Sequence, residues 1–237
     1  MLTYILTEIP SPITCRIIRR VNRFTVLVSL NGNLSYAYLN NTGRLEAFIV
    51  EGRLAYLFEN PIKRGSNYRL FAVEDGNLAA LVDTNLQMKL FEKALIMGLI
   101  KQFKDFKIVR RNVPLRSSLI DYLLEYSGKM SYLEVKSAVM RIDGSTASYP
   151  DCPSIRGRRH IEDLMSASSE GLDCTILFIA ALPYINRFKP NGIVDPKLVD
   201  LLRLAIKSGV SIKAISMYYD PSDSSVYLDN PELNVEV

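Results

Sequence analysis

Helical periodicity is absent from this chain until about residue 84, and that delay constrains the fold more than any other feature. Before it, apolar residues come in short runs broken by turn formers. "RFTVLVSL", then "NGN", then "LSYAYL" is a hairpin signal, because Asn and Gly accept the positive φ of a tight connection. "GRLAYLF" and "YRLFAVE" continue the series on either side of "ENPIKRGSN". About five short strands in some eighty residues predict a small barrel of the oligonucleotide-binding (OB) kind, with a sandwich as the alternative.

The texture changes at "DTNLQMKLFEKALIMGLIKQF", where Leu86, Leu90, Phe91, Ala94 and Leu95 recur at helical spacing behind the capping residues Asp83 and Thr84. From "FKIVRR" onward strands and helices alternate. A helix is expected near Arg156 to Ser169 and another near Pro196 to Ser208, N-capped by Asp195. The chain therefore divides into a barrel over residues 1–84 and an α/β domain, a mixed sheet with flanking helices, over residues 85–237.

Three cysteines without CxxC spacing, Cys15, Cys152 and Cys174, argue against a disulfide framework and a structural zinc site, so a reduced cytoplasmic setting is expected. The start "MLTYILTEIP" lacks the pattern of a secretory signal. "TILFIAALPYI" is too short to span a bilayer, and no membrane partner is expected. With a single histidine, His160, multi-histidine metal sites are excluded, and any general-base role of an imidazole would be solitary. The net charge of +4 is unevenly spread: residues 87–116 hold eight Lys/Arg against two Asp/Glu, whereas from Asp220 onward there are five acids and no base. A basic band of this kind is compatible with nucleic acid, but on charge alone a solvated helix face is the favoured reading.

The chemistry concentrates in one hairpin. "SLIDYLLEY" and "MSYLEVKSAV" are joined by "SGK". A two-residue turn at Ser127 and Gly128 pairs Tyr126 with Lys129 and carries Asp121 opposite Glu134, a register shifted by two sets Asp121 opposite Lys136 instead, and both keep the three ionic groups on one face. Two carboxylates converging there must raise a pKa, recruit a cation or be compensated by a neighbouring positive charge. Mg²⁺ (or Mn²⁺) would meet that need, since it takes one or two carboxylates together with substrate phosphate. Asp, then Glu-x-Lys, is the constellation of the PD-(D/E)xK phosphodiesterases. The other reading is an ordinary cross-strand salt bridge. Two similar strings lack the context: "DPK" at Asp195 reads as a helix cap, and "DFK" at Asp105 has no partner strand bearing an acid.

Five spaced strings extend this reading. "YPDCPSIRGRRHIEDL" (residues 149–164), "SSLIDYLLEY", "YLEVKSAVM", "RRVNRF" and "YLNNTGRL" together resemble, in order along essentially the whole chain, the motifs of the sugar fermentation stimulation protein A family. The resemblance implies an amino-terminal OB barrel, a restriction-endonuclease-like PD-(D/E)xK domain and DNA binding. It places Asp121 and Glu134 as metal ligands and Lys136 as the catalytic lysine. Departures from the family pattern fall at Leu119, where an Arg is usual, and at Tyr38, Asn40 and Cys152.

Candidate nucleic-acid contacts are Arg16, Arg19, Arg20, Arg23 and Arg44 in the barrel and Arg156, Arg158 and His160 at the start of the second predicted helix. Arg159 shares that helix start, and Asp151 reads as a turn residue or a site residue. Phe24, Tyr36 and Tyr38 either stack on bases of a single strand or fill the barrel core. The expected function is DNA binding with a Mg²⁺-dependent phosphodiesterase site. The alternative is a DNA-binding regulator of sugar-metabolism genes that keeps a nuclease fold without turnover. RNA is the less expected partner, and a homodimer is left open.

Overall fold

A computed structural model describes residues 3–59 and 66–237; most of the predicted connection "ENPIKRGSN" lies outside the described residues. Among the described residues seven strands precede the first helix: β1 (Tyr4–Glu8), β2 (Ile13–Asn22), β3 (Thr25–Leu30), β4 (Asn33–Leu39), β5 (Leu54–Glu59), β6 (Tyr68–Asp75) and β7 (Leu78–Leu81). β2 pairs with β3, β3 with β4, β4 with β6, β6 with β5 and β5 with β2, which closes a five-stranded barrel and rules out the sandwich. Closure depends on the parallel pairing of Ala37–Leu39 with Tyr68–Leu70. Inward residues Ile17, Val26, Val28, Ala37, Leu39, Ala55, Leu57 and Leu70 are fully buried. The β3–β4 turn has Asn31 and Gly32 at φ 49° and 85°, the left-handed pair that its sequence predicts.

Helix α1 (Thr84–Ile96) follows, and after a 3₁₀ turn come β8 (Lys107–Leu115), β9 (Ser118–Tyr126) and β10 (Lys129–Ala138). The remaining elements are β11 (Met140–Arg141), β12 (Thr146–Tyr149), α2 (Ile155–Ser169), β13 (Asp173–Ala180), β14 (Arg187–Pro190), α3 (Pro196–Lys207), β15 (Ser211–Asp220), β16 (Ser225–Asn230) and β17 (Asn234–Val235). β8, β9 and β10 form an antiparallel meander, β10 runs parallel to β13 and β13 parallel to β15. The central strand β13 is buried on both faces, hence its unbroken apolar run from Ile176 to Leu182. β11, β12, β14 and β17 make a second, small sheet. Among the described residues no helix is long and apolar enough to cross a membrane.

The two halves share one continuous sheet. β6 pairs with β7, β7 reaches β15 through Ala79 and Tyr219, and β1 leaves the barrel to pair with β16. Arg141 forks onto Asp75 of β6 at 3.0 and 2.8 Å and donates to the Pro183 carbonyl at 2.6 Å, a second tie between the halves.

Asp83 joins barrel to helix. Its carboxylate is fully buried, accepts from the Leu86 backbone N–H at 2.9 Å as the α1 N-cap, and receives the forked guanidinium of Arg69 from β6. Asp83→Ala removes the cap and strands the Arg69 charge. It should cost about 3–5 kcal/mol, read as a lower urea midpoint with unchanged slope.

Candidate functional site

The β9–β10 ladder pairs Tyr126 with Lys129 and Tyr122 with Leu133, across a turn in which Ser127 and Gly128 sit at φ 49° and 80°. This is the register that a two-residue turn predicts and not the one shifted by two, and Asp121 and Glu134 are the next residues beyond the last pair. There the strands part: Asp121 Oδ2 accepts from the Val135 backbone N–H at 2.8 Å in place of a ladder bond.

Glu134 is 3% exposed and Lys136 9%. Oε1 of Glu134 accepts from Lys136 Nζ at 2.5 Å and lies 2.5 Å from His160 Nδ1. The Nε of Arg156 donates to His160 Nε2 at 3.2 Å, which leaves Nδ1 to carry the ring hydrogen that points at Glu134. The other oxygen, Oε2, is buried and has no partner among the described residues. Burial alone would raise the Glu134 pKa, but Lys136 and His160 outweigh it and hold the carboxyl below its usual value. Burial works against the Lys136 charge too, and Glu134 overcomes it, keeping the ammonium protonated. At Asp121 burial, then the charge of Glu134, push the pKa up to about 7; the Val135 N–H, Lys136 and Arg156 favour the charge but do not outweigh them.

Asp121, Glu134, Lys136, His160 and Arg156 line a cavity of about 690 Å³. A neighbouring cavity of about 390 Å³ shares Arg23, Thr42, Lys136, Ser137 and Arg156, so a single cleft runs between barrel and sheet. At its far end Arg111 forks onto Glu92 at 2.7 Å for both contacts, and the Tyr122 hydroxyl donates to the same carboxylate at 2.9 Å.

The barrel wall of the cleft is the "NNTGRL" loop, and Arg20 builds it. Its guanidinium donates to the carbonyls of Asn22, Arg23, Asn41, Gly43 and Arg44, which engages every N–H it has. Asp151 bridges the two halves, since its Oδ2 accepts from the Leu45 backbone N–H at 2.9 Å. A Cβ on Gly43 would lie 2.6 Å from that oxygen, and one on Gly157 would lie 2.6 Å from Ser154 Oγ, the α2 N-cap. Both glycines of the recognised strings therefore serve close approach. Cys152 is half-buried, and its thiol is pushed up by burial and by Asp151.

The structure thus brings Asp121, Glu134, Lys136, His160, Arg156 and Arg23 to one place. Arg158 instead holds Asp195 at 2.9 Å, Arg44 lies 3.5 Å from Glu46, and Arg16 binds the Gly52 carbonyl at 2.7 Å on the outside of the barrel. Sequence reasoning missed Asn40, Thr84, Ser137 and Tyr149 as cleft residues. Asn40, Ser137 and Tyr149 lie inside the recognised strings, but only proximity in space shows that they and Thr84 meet at the cleft.

Among the described residues no three His, Cys, Asp or Glu side chains are grouped to hold a metal ion. Two carboxylates, one with a free buried oxygen and the other with its ionisation suppressed by burial and then by the first, still suit a hard divalent ion that takes its remaining ligands from water and substrate.

Comparison with known proteins adds the following. A family model described as the sugar fermentation stimulation protein RE domain matches residues 85–223, and one described as the SfsA N-terminal OB domain matches residues 18–82. Sugar fermentation stimulation protein homologs of Pyrococcus furiosus and Archaeoglobus fulgidus are each 40% identical to this chain, over 98% of it and 99% of their own length. The solved structure of Pyrococcus furiosus SfsA in complex with Ca²⁺ has a TM-score of 0.95 at 37% identity, covering 99% of this chain and all of that one.

Proposed function

This chain belongs to the sugar fermentation stimulation protein family, and from that membership and the chemistry of its cleft we propose a DNA-binding phosphodiesterase that depends on a divalent cation. Residues 1–84 would hold the nucleic acid and residues 85–237 would carry the reaction. The observation that carries this reading is the partnerless buried oxygen of Glu134 beside Asp121. The Ca²⁺ in the Pyrococcus furiosus relative supports a cation site in a chain of this architecture.

Asp121 and Glu134 would hold the ion, Mg²⁺ or Mn²⁺ in the cell. When bound it supplies Lewis-acid polarisation of the phosphoryl group and a more acidic water. Lys136, protonated and fixed on Glu134, directs its charge into the cavity, where negative charge grows on the phosphoryl oxygens during attack. His160 is a positioning residue: by occupying Oε1 together with Lys136, it leaves Oε2 to the ion. Arg156 orients that imidazole and faces the same cavity, placed to pair with a phosphate. Arg23 offers a second cation from the barrel side.

The test incubates the purified protein with labelled single- and double-stranded DNA in Mg²⁺ or Mn²⁺, beside Glu134→Gln and His160→Ala. Wild type should cut, Glu134→Gln should not, and His160→Ala should need roughly 10–100-fold more cation for half-maximal rate. Retention of DNA that falls steeply with salt, with no cutting under either ion, would replace the enzyme by the non-catalytic regulator.

A further inference from the structure

The outward face of β2, β3 and β4 carries a pattern that the cleft chemistry does not use. Strand register sets Arg16, Ser29 and Leu34 in one row, Arg19, Leu27 and Tyr36 in the next, and Asn22, Thr25 and Tyr38 in the third. Partners in register project on the same side of a sheet. One column is therefore cationic and another aromatic, about 10 Å apart across β3, and none of the three rows contains an acid. Tyr36 is 53% and Phe24 43% exposed, which removes the core-filling reading of both rings. Phe24 stacks on Tyr38 with centroids 6.4 Å apart, and the Arg23 guanidinium lies 5.6 Å from the Phe24 ring. The face runs into the cleft: Arg23 lines both cavities, and the Tyr38 hydroxyl donates to Asn40, which lines one of them.

We infer that this face binds single-stranded DNA, stacking unpaired bases on Tyr36 and the Phe24–Tyr38 pair, with phosphates along Arg19 and Arg16, and leads the strand to the cleft. A ring stacks only on a base whose face is free, and in duplex each face is covered by its neighbour. Tyr36 and Tyr38, two residues apart on one strand, are separated by about 6.7 Å, whereas stacked bases in a duplex rise about 3.4 Å. The spacing suits splayed bases and not a paired helix. The inference rests on the DNA-binding part of the proposed function and names its substrate class, DNA with an unpaired segment beside the scissile phosphate.

The test measures binding alone, in EDTA, so that it does not depend on cutting. A 2-aminopurine-labelled 12-mer is titrated with the full chain as single strand and as blunt duplex. Wild type should bind the single strand at least about ten-fold more tightly and quench the probe. Phe24→Ala and Tyr36→Ala should each weaken single-strand binding about ten-fold, with less than two-fold change on duplex, and Tyr36→Phe should retain both affinity and quenching. Equal or tighter binding of duplex, alanine variants that lose nothing, or a Tyr36→Phe as weak as Tyr36→Ala would overturn the inference. Cutting with unaltered binding in these variants would sink it while sparing the phosphodiesterase reading. Ring-dependent binding without cutting would do the reverse.

Discussion

Asp121→Asn should make the metal-free protein more stable at pH 8 while abolishing cleavage. Asp121 has its pKa raised from 3.8 to about 7 by burial and by Glu134. The folded state therefore holds a proton that the unfolded chain has released, and stability falls as pH rises from about 4 through about 7, then levels off. At pH 8 the ionised carboxylate costs up to about 4 kcal/mol. Asn keeps an oxygen to accept from the Val135 N–H and removes the charge, so part of that cost is recovered, on the order of 5–10 °C in Tm. Thermal melts in EDTA from pH 4 to 8 should slope downward for wild type and run flat for the variant. Ca²⁺ should raise the wild-type Tm, by about 2.7 kcal/mol of stability at a hundred-fold excess over Kd, and leave Asp121→Asn unmoved. A wild-type Tm that climbs between pH 4 and 7 would contradict the burial of this acid.

Lys136→Met should act in the opposite sense on stability and the same sense on activity. The ammonium is nearly buried and sits on Glu134 at 2.5 Å. Without it two carboxylates face each other in a low-dielectric site, with His160 as the one remaining donor to Glu134. Removing one member of a buried pair costs about 3–5 kcal/mol, which in a chain of this size lowers Tm by roughly 6–20 °C. The loss should shrink at pH 5, as the freed carboxyls take up protons, and shrink again on adding Ca²⁺. Cleavage should fall by on the order of 10²–10³-fold. A variant that melts like wild type at pH 8 would mean that Lys136 does not neutralise the pair.

Both predictions rest on one of the two registers that the hairpin sequence allows, the one set by a two-residue turn. Ser127 and Gly128 accept positive φ, the pairing follows, and period-two alternation then carries Asp121, Glu134 and Lys136 to one face. The caps Asp83 and Asp195 were legible for a similar reason, because each satisfies a backbone N–H three residues ahead of it. The arginines were not. Arg19, Arg20 and Arg23 look alike in sequence. In the fold Arg19 stands on the outer face of the barrel, Arg20 is engaged by five carbonyls, and Arg23 opens into the cleft. His160 reads as a helix-start residue that meets nucleic acid, and its place against Glu134 depends on how α2 packs over β9 and β13.

What the sequence determined by itself was local: strand periodicity, turn chirality, helix caps and the meeting of two acids across a hairpin, all set by interactions within a few residues of one another. What only the tertiary structure decided was which charges find partners. It showed that β1 leaves the barrel for β16, that the barrel closes through β4 and β6, and that one oxygen of Glu134 is occupied while the other is free. The reason is physical: a long side chain spends its hydrogen bonds on whatever packing places within about 3 Å, and packing is a property of the whole chain.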